Sequence, residues 1–201
     1  MSDILPTKSN LIKLKKTITL SKQGQELLEK KKYILIKEKE KYYSKKKKIE
    51  ENFNEQYKKA FYMLQNANVD IGISKVNNIA YDINIDNKLD IKYKTVMGVE
   101  IPIVSYENKK IPDLTFGLLG TTITLDEAIV EFQKLKEILI DLAQIKTTLQ
   151  RLDEAIQKVQ KRSNSLKDII IPNYIKQQKT IQETLDERDR EEFTRLKVIK
   201  K

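Results

Sequence analysis

The sequence predicts a mainly α-helical protein: a long antiparallel two-helix coiled coil formed by the N- and C-terminal helices, with a small central α/β head containing a β-hairpin. Three observations lead there. The chain has 201 residues with 34% charged, 39% hydrophobic, and only five glycines and four prolines, a mix that suits long helices better than a compact globule. Apolar residues recur at steps of three and four along the C-terminal segment, and form a narrower three-four spaced series in the N-terminal one. Between them lies a β-branched, alternating stretch that holds four of the five glycines.

The first segment, residues 1–68, has no proline after Pro6 and a single glycine, Gly24. Ser9 or Asn10 in "PTKSN" is the expected helix cap. An apolar series follows through Leu11, Leu14, Ile18, Leu28, Leu35, Tyr42, Ile49, Phe53, Ala60 and Met63. Between residues 25 and 46 the intervening seam positions are Gln25, Lys32, Lys39 and Lys46. So narrow a stripe marks a coiled-coil helix rather than one buried in a globule.

The central segment, residues 69–121, forms the head, expected at the far end of the helical pair. Ile91, Tyr93 and Thr95 alternate along one strand, and Val99, Ile101 and Ile103 along the next. Val96, Met97, Gly98 and Val99 read as the tight turn of a hairpin, with Gly98 taking the positive φ. Pro102 restricts the second strand to an edge. "GLLGTT", Gly117 to Thr122, reads as a loop-to-helix cap more than as an anion nest.

The third segment, residues 122–201, has the stronger period. Thr122 or Thr124 caps it, and Thr124 with Glu127 has the spacing of a capping box. The seam then runs through Ala128, Phe132, Leu135, Leu139, Leu142, Ile145, Leu149, Leu152, Ile156, Val159, Ser163, Leu166 and Ile170. Pro172 interrupts it and predicts a kink, because the pattern resumes at Tyr174, Gln177, Ile181 and Leu185. Each long helix would measure about 90–110 Å at roughly 1.5 Å per residue.

Charge is unevenly placed. The net charge is +10, of which residues 1–68 carry +9, from 17 lysines against 8 acids. Lys45, Lys46, Lys47 and Lys48 form the densest run. No aromatic-interleaved basic platform or recognition-helix motif accompanies them, so nucleic acid is not the expected partner. A solvated helix face is the plainer reading. Three of the five arginines, Arg188, Arg190 and Arg195, gather near the C-terminus with the apolar Phe193 among them. Arginine suits forked carboxylate contacts at interfaces. A rival reading pairs them within the helix, Asp186–Arg190, Glu187–Arg190, Glu191–Arg195 and Glu192–Arg195 all being suitably spaced.

Much chemistry is excluded by composition. There is no cysteine and no histidine, so disulfides, thiol nucleophiles, imidazole bases and nearly all transition-metal sites drop out. No Walker-type loop occurs, since no glycine precedes a Lys-Ser/Thr pair. The chain is not expected to be an enzyme, to bind ATP directly or to need a cofactor or metal. No apolar run approaches the roughly 18 residues of a membrane span, and the N-terminus lacks an apolar signal core, so a cytoplasmic protein is expected.

Three stretches together resemble the D subunit of the V-type and archaeal-type rotary ATPases. They are "PTKSNLIKLKKTITLSKQGQELLEKKKYIL", with Gly24, Leu27, Leu28 and Lys30; "VMGVEIP", Val96 to Pro102; and the stretch from "LQRLDEAIQKVQKRSNSLKDIIIPNY" to "TRLKVIK", with Arg162 to Leu166 and Ile171-Pro172. The chain departs from the family pattern at Lys30 to Lys32, where the family typically writes arginine. The resemblance implies a central rotor shaft whose termini enter a hexamer of catalytic A and B subunits. It would turn in 120° steps and couple ATP hydrolysis or synthesis to H+ or Na+ transport. Its head and lower shaft would bind the small F subunit and the cup-shaped C/d subunit on the membrane rotor ring. On this reading the protein sits peripherally on a membrane complex. Catalytic-ring contacts would come from Lys8, Lys45 to Lys48, Arg188, Arg190, Phe193 and Arg195. Two other classes remain open from the residues alone: a free-standing coiled-coil scaffold and a nucleic-acid-associated coiled coil.

Overall fold

A computed structural model of the chain describes residues 5–82, 89–106 and 121–200. The element order is α1 (Lys8–Ile71), α2 (Ile73–Asp82), β1 (Leu89–Val96), β2 (Val99–Tyr106), α3 (Ile123–Ser165), a π-helical turn (Leu166–Ile170) and α4 (Ile171–Ile199). The residues divide into two compact units, Met1–Ile36 with Ala155–Lys201, and Lys37–Glu154. That division cuts both long helical arms instead of falling at their ends.

In the first unit α1 and the C-terminal arm run antiparallel. Leu14 and Ile18 share a buried cluster with Ile181 and Leu185, with Leu11 and Tyr174 packed against it. Farther along α1, Glu29 accepts a hydrogen bond of 2.6 Å from the Ser163 hydroxyl. Later residues of α1 therefore meet earlier residues of the arm. Ser163 is fully buried, and Glu29 satisfies its hydroxyl.

The second unit repeats the geometry. Lys39 pairs with Asp153 at 2.6 Å, Phe61 stacks on Phe132 at 5.5 Å between ring centroids, and Asp70 accepts from Thr124 at 2.8 Å. The expected polar seam positions Gln25, Lys32, Lys39 and Lys46 are each half-buried. Lys39 reaches across to Asp153 of α3, whereas Lys32 and Lys46 pair along α1 with Glu29 and Glu50.

The cap of α1 differs from expectation, and that of α3 falls on one of the two expected residues. Thr7, not Ser9 or Asn10, caps α1: its hydroxyl accepts from the Asn10 N–H at 3.2 Å, and its carbonyl accepts from Leu11. The Asn10 side chain instead donates to the Leu5 carbonyl. At α3 the Thr122 carbonyl accepts the first helical bonds, so Thr122 is the cap. Thr124 lies inside the first turn with its hydroxyl given to Asp70, which leaves the Thr124–Glu127 capping box unformed. Between α1 and α2 stands one residue, Gly72, at φ +90. It closes α1 by donating to Asn68 and opens α2 by accepting from Lys75 and Val76. Only glycine takes that conformation cheaply. α2 then packs Val76 and Ile79 onto Ala67 and Leu125.

The seam of α3 holds with two changes. Leu125, Ala128, Leu135, Leu142, Ile145, Leu152, Val159 and Ser163 are buried. Leu139 is 46% exposed, and half-buried Ile138 takes its place. Thr148 is buried beside a half-buried Leu149, its hydroxyl turned back to the Gln144 carbonyl at 2.8 Å.

The hairpin pairs Val96 with Val99 and Leu89 with Tyr106, in antiparallel register. Both turn residues have positive φ, Met97 at 51 and Gly98 at 79, the pattern of a type I′ turn. Met97 therefore carries strain that glycine or asparagine would not. Met97→Asn should raise stability by about 0.5–1 kcal/mol, read as a shift of the urea midpoint at unchanged slope. Lys94 faces Ile101 and Tyr93 faces Pro102, so Ile91 and Tyr93 lie on the opposite sheet face from Ile101 and Ile103.

The hairpin lies along α3 rather than beyond its end. Gln144 accepts from the Val104 N–H at 2.9 Å, and Arg151 donates to the Glu100 carbonyl at 3.0 Å. Positions 100, 102 and 104 point the same way from the ladder. Pro102 thus lacks its N–H on the outer edge, where β1 loses nothing. α3 side chains cover that edge, which would otherwise invite pairing with another chain. Arg151 also sits over the Tyr93 ring at 5.2 Å, and Lys136 over Tyr106 at 5.0 Å.

Pro172 stands at the start of α4, directly after the π-turn, in which the Ile171 N–H reaches back five residues to the Leu166 carbonyl. The interruption expected there takes the form of a widened turn. Such a turn receives a proline ring that would crowd the carbonyl of a regular α-helix.

Candidate functional site

The candidate contact residues fall into three places. The first is the end of α4. Leu185 is the last buried residue of the arm, and residues 186–200 are all exposed. The start of α1 still reaches this region. Lys8 pairs with Asp189 at 3.4 Å, and Arg188 donates to the Pro6 carbonyl at 3.3 Å. Both are exposed contacts of small net worth, about 0–1 kcal/mol.

Beyond Asp189 α4 continues to Ile199 without a partner helix among the described residues. Arg190, Phe193 and Arg195 all lie there. Phe193 is 61% exposed, and Leu196, Val198 and Ile199 are at least as open as Leu196's 58%. Of the intrahelical pairs suggested by spacing, Glu191–Arg195 is formed at 3.8 Å, and Lys197 lies over Phe193 at 5.3 Å. Arg190 instead lines an open depression of about 710 Å³ with Glu187, Glu191, Thr194, Arg195, Val198 and Ile199. One helix face makes that depression, so it is not an enclosed pocket.

The second place is the lysine run, and its members are not equivalent. Lys46 is half-buried and engaged, with Glu50 at 3.4 Å and the Tyr43 ring at 5.9 Å. Lys45 lies over Tyr42 at 5.6 Å with its charge unpaired among the described residues. Lys47 and Lys48 are exposed, with no carboxylate at ion-pair distance among the described residues. These three cations thus face outward on α1.

The third place is the hairpin, held to α3 by Arg151, Gln144 and Lys136. Spacing arguments did not find this clamp. The available signal was that Arg151 is one of only five arginines in a lysine-rich chain. Gly117 to Gly120 of the candidate anion nest lie outside the described residues. No group of carboxylates that could hold a metal occurs among the described residues, and no helix there is long and apolar enough to cross a membrane.

An antiparallel pair of long helices with a hairpin clamped to one of them defines an elongated-helix class of mainly α protein. The family model for the ATP synthase D subunit matches residues 10–201, and the chain belongs to that family. It is 35% identical over 98% of its length to the V-type ATP synthase D subunit of Thermotoga neapolitana, covering 97% of that protein. It is 36% identical over its full length to the A-type ATP synthase D subunit of Methanoregula boonei, covering 97% of it. Against the A-type D subunit of Pyrococcus horikoshii the identity is 33%, over 98% of this chain and 93% of that one.

Proposed function

We propose that this chain is the central rotor-stalk component of a V/A-type rotary ATPase, coupling ATP hydrolysis or synthesis in an A/B catalytic hexamer to H+ or Na+ movement through a membrane rotor ring. Family membership over nearly the whole chain is the observation that carries the reading. Within it the chain transmits torque and does no chemistry of its own. Its partners are the A and B subunits, the small F subunit and the cup-shaped C/d subunit, and its attachment to the membrane is peripheral, through the complex.

The physical features suit that task. Paired helices resist bending and twisting. A rotor must also meet three similar pockets in turn, and a large dry anchor would hold it at one angle. Exposed charged side chains worth about 0–1 kcal/mol each give shallow angular wells instead. Lys45, Lys47 and Lys48 fit that description, and in this reading they face acidic ring loops. The unpartnered end of α4, with Arg190, Phe193 and Arg195, enters the collar of the ring.

Co-purification tests the assignment. The tagged chain should bring down A, B and F subunits in fixed ratio, and recombinant F alone should form a stable one-to-one complex. Failure of both would remove the assignment. Replacing Lys45, Lys46, Lys47 and Lys48 together with glutamine should reduce the salt dependence of coupled ATPase activity while leaving the fold intact. Unchanged coupling and an unchanged salt slope would show that the run faces water.

A further inference from the structure

The C-terminal arm contains one residue more than its seam requires. From buried Ser163 the face toward α1 passes through half-buried Leu166 to Ile171, Tyr174, Gln178, Ile181 and Leu185. One step in that series, Leu166 to Ile171, is five residues long. An α-helical stripe has no such step, and the π-turn supplies it. Asn173, Gln177 and Thr184 are half-buried flanks of that face; continued as a regular α-helix, the chain would move them and exposed Thr180 to its centre, and the apolar partners of Leu14 and Ile18 would rotate away.

The seam needs the surplus residue absorbed, but it does not need the residue. Ile169 is 58% exposed. Without it, Ile171, Tyr174, Ile181 and Leu185 would follow Ser163 and Leu166 at ordinary steps of three and four. Keeping it weakens the backbone locally. Pro172 has no N–H for the Asp168 carbonyl at α spacing or the Lys167 carbonyl at π spacing. Lys167, Asp168 and Ile169 are all exposed, so the weakened side of the ladder faces outward while the seam stays apolar.

We propose that the Leu166–Ile170 turn is a compliant joint, on which α4 bends and twists relative to the preceding turns of α3 without unzipping from α1. Its use as a torsional spring rests on the rotor reading. Its existence as a soft point does not.

Hydrogen exchange on the full-length chain, read by mass spectrometry, tests the joint. Amides across the π-turn should exchange about tenfold or more faster than those of the flanking turns around Val159 and Ile181. Deleting Ile169 together with Pro172→Ala should erase that difference with no loss of thermal midpoint. Pro172→Ala alone should slow the segment only in part, because the restored N–H bonds one carbonyl while the seam still demands the π-turn. Exchange as slow as the flanks in the native chain would overturn the proposal. So would a deletion variant that melts earlier.

Assembled with catalytic subunits, the deletion variant should bind as the native chain does yet lose several-fold in ATP-driven turnover under load. Unchanged turnover would mean that the soft point is not used. A native chain that failed to assemble would count against the rotor reading, and the exchange result would still decide the joint.

Discussion

Leu152→Ala is expected to lower the stability of the protein by about 2–5 kcal/mol, the cost of emptying a fully enclosed leucine site. Leu152 has 0% of its surface exposed, one heptad before Val159 and one after Ile145 in the seam of α3. The matched control is Leu139→Ala. Leu139 is chemically the same residue on the same helix but is 46% exposed, so its truncation should cost less than about 1 kcal/mol. Urea unfolding of the two variants side by side reads the difference directly. Equal losses would mean that α3 presents a different face to α1 than the one described.

That contrast shows what periodicity could and could not resolve. Two long helices, an antiparallel pairing and a hairpin at Val96 to Val99 were legible, because each follows from a repeat sustained over many residues or from a turn only a few residue types can make. The choice between Ile138 and Leu139 was not. The two flank the centre of the stripe, and either keeps an average near three and a half. Hydrophobicity cannot separate them; only the position of the partner helix does. The cap of α1 was missed for a related reason. Thr7, Ser9 and Asn10 are all good capping residues, and which one leaves the helix depends on where the chain must turn. Thr124 was drawn away from the capping role by Asp70, 54 residues distant in sequence.

The hairpin's place along α3 was out of reach for pattern reading as well. Its contacts are made by Gln144 and Arg151, polar residues on what a heptad analysis treats as the solvent side. The π-turn was within reach. Ile170 to Tyr174 is a step of four straight after the step of four from Leu166 to Ile170, which breaks the alternation and betrays one extra residue. Pro172, two positions on, accounts for an interruption by a kink just as well, and so masks the extra residue. At the tip, the paired and partner-seeking accounts of the arginines each describe part of it. Arg195 is paired to Glu191, Arg188 ties to the Pro6 carbonyl, and Arg190 sits on the open face of α4.

Removing residues 190–201 separates fold from function at that tip. Truncation after Asp189 keeps Leu185, the Lys8–Asp189 pair and the Arg188–Pro6 hydrogen bond, so every described contact between α1 and α4 survives. The deleted turns are exposed throughout, and their loss should change the thermal midpoint only slightly. The effect on the assembled machine should be large. Phe193, Leu196, Val198 and Ile199 are apolar residues left in water on a segment with no partner helix among the described residues, and two arginines stand among them. In a collar, an aromatic with neighbouring arginines is the kind of cluster that concentrates binding energy, about 2 kcal/mol or more per hot spot, or roughly thirtyfold in affinity. The truncated chain should therefore fold normally, still capture the F subunit, and show at least that loss in affinity for the A/B hexamer together with reduced coupling. Phe193→Ala in the intact chain should reproduce much of the defect. If both variants bound and coupled like the native chain, the tip would be a solvated helix end and the collar contacts would have to lie elsewhere. The nearest remaining candidates are Lys8 and Arg188, whose exposed bonds to one another's segments leave their outer faces free.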